Sequence, residues 1–389
     1  MADYARNKRF FSASTLLMLA IAACMSLSLI WHEPVPAAWR VPLTVALVLF
    51  SLCITSMRVL VTRRPDLPFA FVRAGGYVSS AFLSLFWLVL VRDASLGLSA
   101  LLGGDSLFRA LLSVPFEAGM LVAAFAMAAL GMARAARVPE VRAVSVPVRG
   151  LPPELDGLRI ALLSDFHVGA CSDGRWLRKV VERTNALRPD FVLMAGDLAD
   201  GSPERIEKEL LPLAELRSQY GVLTVPGNHD YYSGLEPWVD TWRGWGIGVL
   251  LNSHRDFSVK GRRLRVAGIN DSCARLFPHL PEEMGSPDLT RALRSDTPAD
   301  FTILLSHRPG DATKHAAHGV GLQLSGHTHG GQFFFLFPLV SRINKGFRSG
   351  LYNANGMPLY VSPGAGMWGY APMRWGTRSE ISLLTLRSA

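Results

Sequence analysis

Two histidines stand one residue apart within a glycine-rich stretch, residues 325–331, directly after the apolar run 322–325. A short apolar run of this kind predicts a buried strand, and Gly326 allows the chain to turn sharply at its end because glycine has no Cβ. Both imidazoles then project from the carboxyl end of the strand. Since neutral imidazole is the commonest metal ligand in proteins, His327 and His329 predict a metal-binding turn.

Polar residues that can bind metals also follow four other apolar runs. These clusters are Asp165-Phe166-His167 after residues 158–164, Gly196-Asp197 after 191–195, Gly227-Asn228-His229-Asp230 after 221–225, and His307 after 301–306. In α/β proteins, sites are built at the carboxyl ends of strands, so we expect all five loops to converge. A lone Asp-x-His is usually a capped turn, but five clusters that each end an apolar run favour a metal site.

The order Asp-x-His, Gly-Asp, Gly-Asn-His, His and Gly-His-x-His resembles that of the calcineurin-like metallophosphoesterase family, and it extends from Asp165 to His329. The resemblance is closest to the membrane-attached branch of the family, and it includes the late segments 360–364 and 378–381. It implies an enzyme that hydrolyses phosphoesters and an α/β fold in which a two-sheet sandwich is flanked by helices. It also implies two divalent metal ions that share a bridging carboxylate.

The resemblance assigns roles to individual residues. It implies that the ligands of one ion are Asp165, His167 and His329, that those of the other are Asn228, His307 and His327, and that Asp197 bridges the two. Two carboxylates leave a pair of divalent ions with net positive charge, which suits a phosphate substrate. Nitrogen and oxygen ligands without thiolate suit Mn²⁺, Fe²⁺ or Zn²⁺, and we expect Mn²⁺ to be the best activator.

Two further residues have implied roles in proton transfer. In the family, the residue at the position of His229 protonates the leaving oxygen, and the residue at the position of Asp200 orients that histidine. The alternative for His229 is a hydrogen bond that only supports a neighbouring ligand. The alternative for Asp200 is a helix cap or a turn.

Candidate phosphate-binding arginines give information about the substrate class. Gly201 stands where serine/threonine phosphatases of the superfamily carry a phosphate-binding arginine, which argues against a phosphoprotein substrate. Arg308, directly after a predicted ligand, is expected to bind the phosphate in its place, together with Asn228. Arg374 is a weaker candidate, and the alternative for either arginine is a solvated side chain.

Composition divides the chain into a membrane part and a soluble part. The 389 residues carry a formal net charge of +9, but the lysines and arginines cluster beside apolar segments and form no basic helix or zinc-finger spacing. No nucleic-acid partner is therefore predicted, and no obligate protein partner is evident. The four cysteines form no disulfide framework, which suits a reducing compartment.

Four apolar segments each approach the roughly 20 residues needed to cross a bilayer. They are residues 11–31, 41–57, 74–91 and 110–133. Basic residues concentrate before the first segment, between the second and third, and after the fourth, which predicts that both termini are cytoplasmic. Glu117 lies within a span and is either functional or reaches back to the interface.

These segments predict a transmembrane region over residues 1–136 and a metallophosphoesterase domain over residues 137–389. The protein would be a multi-pass protein of the cell (inner) membrane with a cytoplasmic catalytic domain. In the second part, apolar runs alternate with helical stretches, which is typical of an α/β fold. Helices are predicted over residues 175–187, 203–219, 236–245, 287–293 and 311–318, a hairpin over 257–269, and late strands over 359–361 and 381–386.

The leading functional hypothesis is a membrane-bound phosphoesterase that hydrolyses a phosphorylated small molecule or lipid through two metal ions and a metal-activated water. The alternative is a membrane sensor or transporter-associated protein whose soluble domain binds a phosphorylated ligand without turnover. The complete set of ligands and the few polar residues in the spans argue against this alternative.

Aromatic residues near the metal turn bear on the choice of substrate. These apolar residues predict either buried core or an exposed rim that admits an acyl chain. They are residues 333–337, Met367, Trp368 and Tyr370. The rim would favour a phosphoester or pyrophosphate on a lipid or a lipid-linked sugar.

Overall fold

The N-terminal third of the chain is helical, as its long apolar segments predict. The computed structural model describes residues 2–31, 35–63, 67–169, 172–368 and 371–389. The helices in this third are α1 (Ala2–Leu29), α2 (Ala37–Arg63), α3 (Phe69–Leu101), α4 (Asp105–Leu111) and α5 (Val114–Ala135). Among the described residues, α2 over Ala37–Thr55, α3 and α5 are long and apolar enough to cross a membrane. The described apolar stretch of α1, Thr15–Leu29, is shorter, so a fourth span stays a prediction.

Charged side chains on these helices are paired with one another. Arg92 of α3 is 2% exposed, and its guanidinium donates to Glu117 Oε1 of α5 at 2.7 Å and to the carbonyl oxygen of Ser28 of α1 at 2.7 Å. It also pairs with Asp93 at 2.8 Å. Because an unpaired charge is costly in apolar surroundings, this network explains how Glu117 is accommodated within a span.

Two six-stranded sheets form in the described part of the remaining chain. The first contains, in spatial order, β1 (Glu140–Val148), β12 (Glu380–Ser388), β2 (Arg159–Leu163), β3 (Phe191–Met194), β4 (Gly221–Thr224) and β5 (Gly248–Val249). The second contains β10 (Gly350–Ala354), β11 (Met357–Val361), β9 (Leu322–Ser325), β8 (Phe301–Ser306), β7 (Arg262–Ile269) and β6 (Ser253–Val259). Strands β2 to β5 are parallel, and so are β7, β8, β9 and β11.

The two sheets pack face to face. Ile160 and Leu193 of the first sheet share one continuous core with Val266, Ile303 and Leu324 of the second. Strands buried on both faces read as uninterrupted apolar runs, which is why β2, β3 and β8 are recognisable in the sequence. The predicted α/β sandwich is confirmed.

Short helices surround the sheets. They are α6 (Gly174–Ala186), α7 (Pro203–Leu210), α8 (Asn228–Tyr232), α9 (Leu235–Gly244), α10 (Leu289–Leu293), α11 (Ala312–His315) and α12 (Phe337–Ile343). Residues 333–337 form no long buried strand, because Phe334–Leu336 is a 3₁₀ turn that leads into α12. This aromatic run is therefore not one continuous buried strand.

By its internal contacts the chain divides into two compact units. One consists of residues 1–133 and 370–373, and the other of residues 134–369 and 374–389. Helix α5 ends at Ala135, and β1 begins at Glu140. The domain boundary at residue 136 stays a prediction.

Candidate metal centre

Each predicted cluster begins where a parallel strand ends. Asp165 comes soon after β2, Asp197 after β3, Asn228 after β4, His307 after β8 and His327 after β9. Parallel strands present their carboxyl ends at the same edge of a sheet. The loops of the two sheets meet there, since the backbone N–H of His327 donates to Asp165 Oδ1 at 3.1 Å.

The backbone of these loops lies in a conformation that residues with a Cβ seldom adopt. The described chain has eleven non-glycine residues with positive φ, and five of them are predicted ligands: Asp165 (55°), His167 (48°), Asp197 (56°), His327 (70°) and His329 (49°). Such a conformation costs roughly 1–3 kcal/mol per residue and is concentrated at functional sites. The strain therefore marks these loops as functional.

Asp165, His167 and His329 form the first group of candidate ligands, and all three are buried. The Nε2 atoms of the two histidines face each other at 3.0 Å, and His329 Nε2 lies 3.5 Å from Asp165 Oδ1. The donor atoms of the group lie within 4.8 Å of one another, so one cation could contact all of them.

Asn228, His307 and His327 form the second group. His307 Nε2 lies 3.3 Å from Asn228 Oδ1 and 3.2 Å from His327 Nδ1. Asp197 joins the groups, because its Oδ2 lies 3.6 Å from His167 Nε2 and 3.3 Å from His307 Nε2. The structure thus brings the seven predicted metal ligands together, with Asp197 between the two groups.

Two outer hydrogen bonds determine which histidine nitrogens face the site. His167 Nδ1 lies 3.1 Å from Asp200 Oδ1, and His307 Nδ1 lies 2.7 Å from the carbonyl oxygen of Ala195. Since these oxygens accept, each Nδ1 donates, and in the neutral ring Nε2 then directs a lone pair into the site. Nitrogen lone pairs and carboxylate oxygens are the donors that Mn²⁺, Fe²⁺ and Zn²⁺ use, so the residues present fit such ions.

The electrostatics of the site also favour a cation. Burial lowers the pKa of His307, but the nearby carboxylates, chiefly Asp197, outweigh it and raise the pKa to about 10. Burial also lowers the pKa of His167, but the neighbouring carboxylates, led by Asp200, raise it to about 9. Because metal ligation needs neutral rings, protons and metal ions compete for this site.

His229 lies beside the two groups, with its ring 4.5 Å from the ring of His167. Its Nδ1 lies 2.6 Å from Asp200 Oδ1, the same oxygen that contacts His167. Burial raises the pKa of Asp200, but His229 and His167 lower it well below its usual range, so the carboxylate is ionised. Asp200 does not cap α7, because Ser202 occupies the N-cap position. With Nδ1 held by Asp200, Nε2 of His229 is the nitrogen that can face a substrate.

Arg308 lies beside the second group and contacts two of its members, His327 and Asn228. Arg308 donates from Nε to Asp271 Oδ2 at 2.7 Å, and its terminal nitrogens lie 2.9 Å from His327 Nε2 and 3.2 Å from Asn228 Oδ1. The Asp271 carboxylate is buried, whereas the Arg308 side chain is 37% exposed. A guanidinium fixed in this way can bind a phosphate next to the metal ligands.

Arg374 has a different environment. It is 2% exposed, and its guanidinium donates to the carbonyl oxygens of Pro363 at 2.9 Å, Gly366 at 3.1 Å and His329 at 3.4 Å. It supports the backbone of the metal turn and of the loop after β11. These contacts argue against a role for Arg374 in binding phosphate.

Comparison with known proteins identifies the family. The calcineurin-like phosphoesterase family matches residues 158–331, which contain all seven candidate ligands. An uncharacterised metallophosphoesterase of Campylobacter jejuni is 32% identical over 306 residues, which make up 78% of this chain and 78% of the relative. The chain belongs to the calcineurin-like phosphoesterase family. The resemblance carried by the motifs is confirmed, and the chain has the His and Asp clusters expected of a family that binds divalent metals.

Two vertebrate relatives are each named transmembrane protein with metallophosphoesterase domain. The Danio rerio protein is 38% identical over 271 residues, which make up 68% of this chain and 61% of the relative. The Bos taurus protein is 36% identical over 273 residues, which make up 68% of this chain and 60% of the relative. The chain thus spans about three fifths of the length of these relatives. Their names and the three apolar helices indicate a membrane protein.

Two buried carboxylates hold the candidate metal centre in place, although the sequence motifs assigned them no role. Asp230 accepts the backbone N–H groups of residues 197–199 at 2.8–3.0 Å and of Gly227 at 2.8 Å, and it thereby ties two metal loops together. Asp271 holds Arg308. Asp230 belongs to the Gly-Asn-His-Asp cluster and Asp271 follows β7, so the strand-end pattern could have indicated both.

The metal turn has no room for a side chain at Gly326, where a Cβ would lie 1.7 Å from Ser164 Oγ and 2.5 Å from Asp165 Oδ2. Gly326→Ala is expected to displace Asp165, weaken metal binding and lower stability by roughly 1–3 kcal/mol. Thermal unfolding and metal analysis of the full-length protein in detergent would check both effects. Gly244→Ala is the control, because a Cβ there meets nothing within 4 Å. Equal unfolding temperatures and metal contents for the two variants would contradict the prediction.

Proposed function

We propose that this protein is a membrane-bound phosphoesterase that uses two divalent metal ions to hydrolyse phosphoester or pyrophosphate bonds. The observation that carries the proposal is the position of Asp197, because one of its carboxylate oxygens lies within 3.6 Å of a nitrogen from each ligand group. A shared site for two ions requires a carboxylate in this place. When bound, the two ions would polarise the phosphoryl group and supply an activated water as the nucleophile.

The charges around the site suit a phosphate. Asp165 and Asp197 offset only part of the charge of two divalent ions, so the loaded site is net positive. Arg308 adds a further positive charge, and its contact with Asp271 fixes the direction in which the guanidinium points. Asn228 adds a neutral oxygen rather than a third carboxylate, and it and Arg308 contact the phosphoryl oxygens of the substrate.

Proton transfer to the leaving group falls to His229. Asp200 accepts from its Nδ1, which orients the ring, and the imidazolium form of the ring gives its Nε2 proton to the leaving oxygen. The same Asp200 oxygen contacts Nδ1 of the candidate ligand His167. Asp200 therefore supports both the metal site and the proton donor.

Metal content and turnover test this function together. Full-length protein in detergent is expected to hydrolyse bis-p-nitrophenyl phosphate, with Mn²⁺ as the best activator and two ions per active chain. Elemental analysis that finds one ion or fewer per active chain would contradict the two-metal centre. Absence of turnover with Mn²⁺, Fe²⁺ and Zn²⁺ would favour the sensor that binds a phosphorylated ligand without hydrolysing it.

We also propose that residues 1–136 cross the cell (inner) membrane several times and that residues 137–389 form a cytoplasmic catalytic domain. The distribution of basic residues supports this orientation. They cluster before the first apolar segment, between the second and third segments, and after the fourth.

The segment that follows the metal turn supports a lipid or lipid-linked sugar as the substrate. Gly331 of the turn packs on α12, since a Cβ there would lie 2.6 Å from Phe337 Cδ1. In the same segment Phe334 is 47% exposed, Leu339 53% and Ile343 67%. Apolar side chains exposed beside the site of a membrane protein can contact acyl chains.

The other residues of the predicted aromatic rim differ in their exposure to solvent. Phe333 and Met367 are buried, which agrees with a role in the core. Trp368 is 39% exposed. Tyr370 lies outside the described residues.

A lipid pyrophosphate in mixed micelles is expected to be a better substrate of the full-length protein than soluble phosphodiesters. Ile343→Ser should lower kcat/KM for the micellar substrate by about tenfold, because burying an apolar side chain contributes roughly 1.5–3 kcal/mol. The control is Leu211→Ser, since Leu211 is apolar and 47% exposed outside this segment. A preference for the soluble ester, or equal effects of the two substitutions, would reject the lipid substrate.

A further inference from the structure

A row of rings extends from His229 away from the candidate metal ligands. Tyr232 lies one turn further along α8, with 5.5 Å between its ring centroid and that of His229. Phe277 lies 6.1 Å from Tyr232, and His279 lies 6.2 Å from Phe277. Tyr232 and Phe277 are half-buried and His279 is exposed, so this ring row (Tyr232, Phe277 and His279) leads from the site to solvent.

Contacts on its buried side hold the ring row in place. The hydroxyl of Tyr231 donates to the carbonyl oxygen of Met284 at 2.8 Å, and the ring of Tyr231 lies 5.8 Å from that of Phe277. Cys273 Sγ contacts the carbonyl oxygen of Asn228 at 3.9 Å. The segment that carries Phe277 is therefore packed on α8, which fixes the ring row relative to His229.

Phe277 also lines a cavity of about 370 Å³, together with Arg275, Pro278, Leu280 and Arg291. The walls combine apolar faces with the donor groups of two arginines and the carboxylates of Glu282 and Asp288. Arg291 is engaged with Glu282, at 3.2 Å between their charged atoms. A cavity of this composition suits a flat ring with polar substituents.

We propose that the ring row and this cavity form a subsite for a ring-bearing group, either a sugar or a nucleobase, attached to the leaving oxygen of the phosphoester. The inference rests on the proposed function, in which His229 protonates that oxygen. Whatever the oxygen carries then extends past His229, where Tyr232 and Phe277 offer faces for stacking. Arg275 donates to an oxygen of the same group. A sugar bound here agrees with a lipid-linked sugar as the substrate.

The subsite is tested by the inhibition constants of phosphate monoesters. They are measured on full-length, Mn²⁺-loaded protein with bis-p-nitrophenyl phosphate as the substrate. Glucose 1-phosphate probes for a sugar, adenosine 5′-monophosphate for a nucleobase, and glycerol 3-phosphate is the open-chain reference. At least one ring-bearing monoester is expected to have an inhibition constant about tenfold below that of glycerol 3-phosphate. Which one it is distinguishes the sugar from the nucleobase. Calorimetric titration with the same monoesters gives this comparison without turnover.

Substitutions in the ring row test whether it causes the difference in inhibition constants. Phe277→Ala and Tyr232→Leu are each expected to remove most of the tenfold difference. Leu211→Ala, at an exposed apolar position elsewhere, should keep it. If Phe277→Ala does not fold, Tyr232→Leu decides the matter.

Two results would overturn the subsite. The first is a wild-type protein that turns over its substrate but is inhibited no more strongly by either ring-bearing monoester than by glycerol 3-phosphate. The second is a tenfold difference in inhibition constant that persists in both ring-row variants. Absence of any metal-dependent turnover by the wild-type protein would be a failure of the proposed function instead.

Discussion

Asp197→Asn is expected to empty the metal centre and to lower turnover of bis-p-nitrophenyl phosphate by about 10³-fold or more. The oxygen that faces His167 and His307 would lose its negative charge. Two unit charges about 4 Å apart interact by roughly 4 kcal/mol at an effective dielectric constant of 20, and two divalent ions repel by four times as much. Without an anion between them, the two ions cannot bind side by side.

The fold should survive this substitution. Asp230 holds the loop through the backbone N–H groups of residues 197–199, and Asp197→Asn leaves these groups unchanged. Elemental analysis, turnover and thermal unfolding are measured on the same sample. The control is Asp240→Asn on the exposed face of α9, which should match the wild type in all three. Two ions per chain in Asp197→Asn would show that Asp197 is not the bridge.

The convergence of the metal loops could be predicted from the positions at which the apolar runs end in the sequence. Each predicted ligand cluster stands at the end of an apolar run, and parallel strands end at a common edge. Asp165 and His327 are far apart in the chain, yet they are in contact because β2 and β9 end at the same place. The sequence pattern alone also predicted α6, α7, α9, α10 and α11 and most strands, but it missed the short helix α8.

Contacts that depend on how distant segments pack could not be predicted. The burial of Arg374 arises from the fold of two loops, whereas the sequence shows only an arginine near a glycine-rich segment. Residues 333–337 are apolar in succession, so they show no hydrophobic periodicity. Such a run is compatible with a strand, a turn or a helix. The 3₁₀ turn and α12 therefore came only from the structure.

His229→Ala is expected to have an effect of a different kind from Asp197→Asn. The backbone N–H of His229 donates to Asp197 Oδ1 at 2.7 Å, and this bond does not need the imidazole. The variant should therefore keep both metal ions. Its loss of rate should depend on the substrate, because only poor leaving groups need a proton in the transition state.

For an alkyl phosphoester, the lost proton donor should lower kcat by about 10²–10⁴-fold. For bis-p-nitrophenyl phosphate the loss should be less than about tenfold, because p-nitrophenolate leaves readily without protonation. The control is His318→Ala, since His318 is exposed and its Nδ1 contacts the Lys314 carbonyl oxygen in its own segment. Equal losses on the two esters, with the metals retained, would mean that His229 supports the site through Asp200 and donates no proton. A loss of metal ions would instead place the imidazole among the ligands, where it lies within reach of Asp197 and His167.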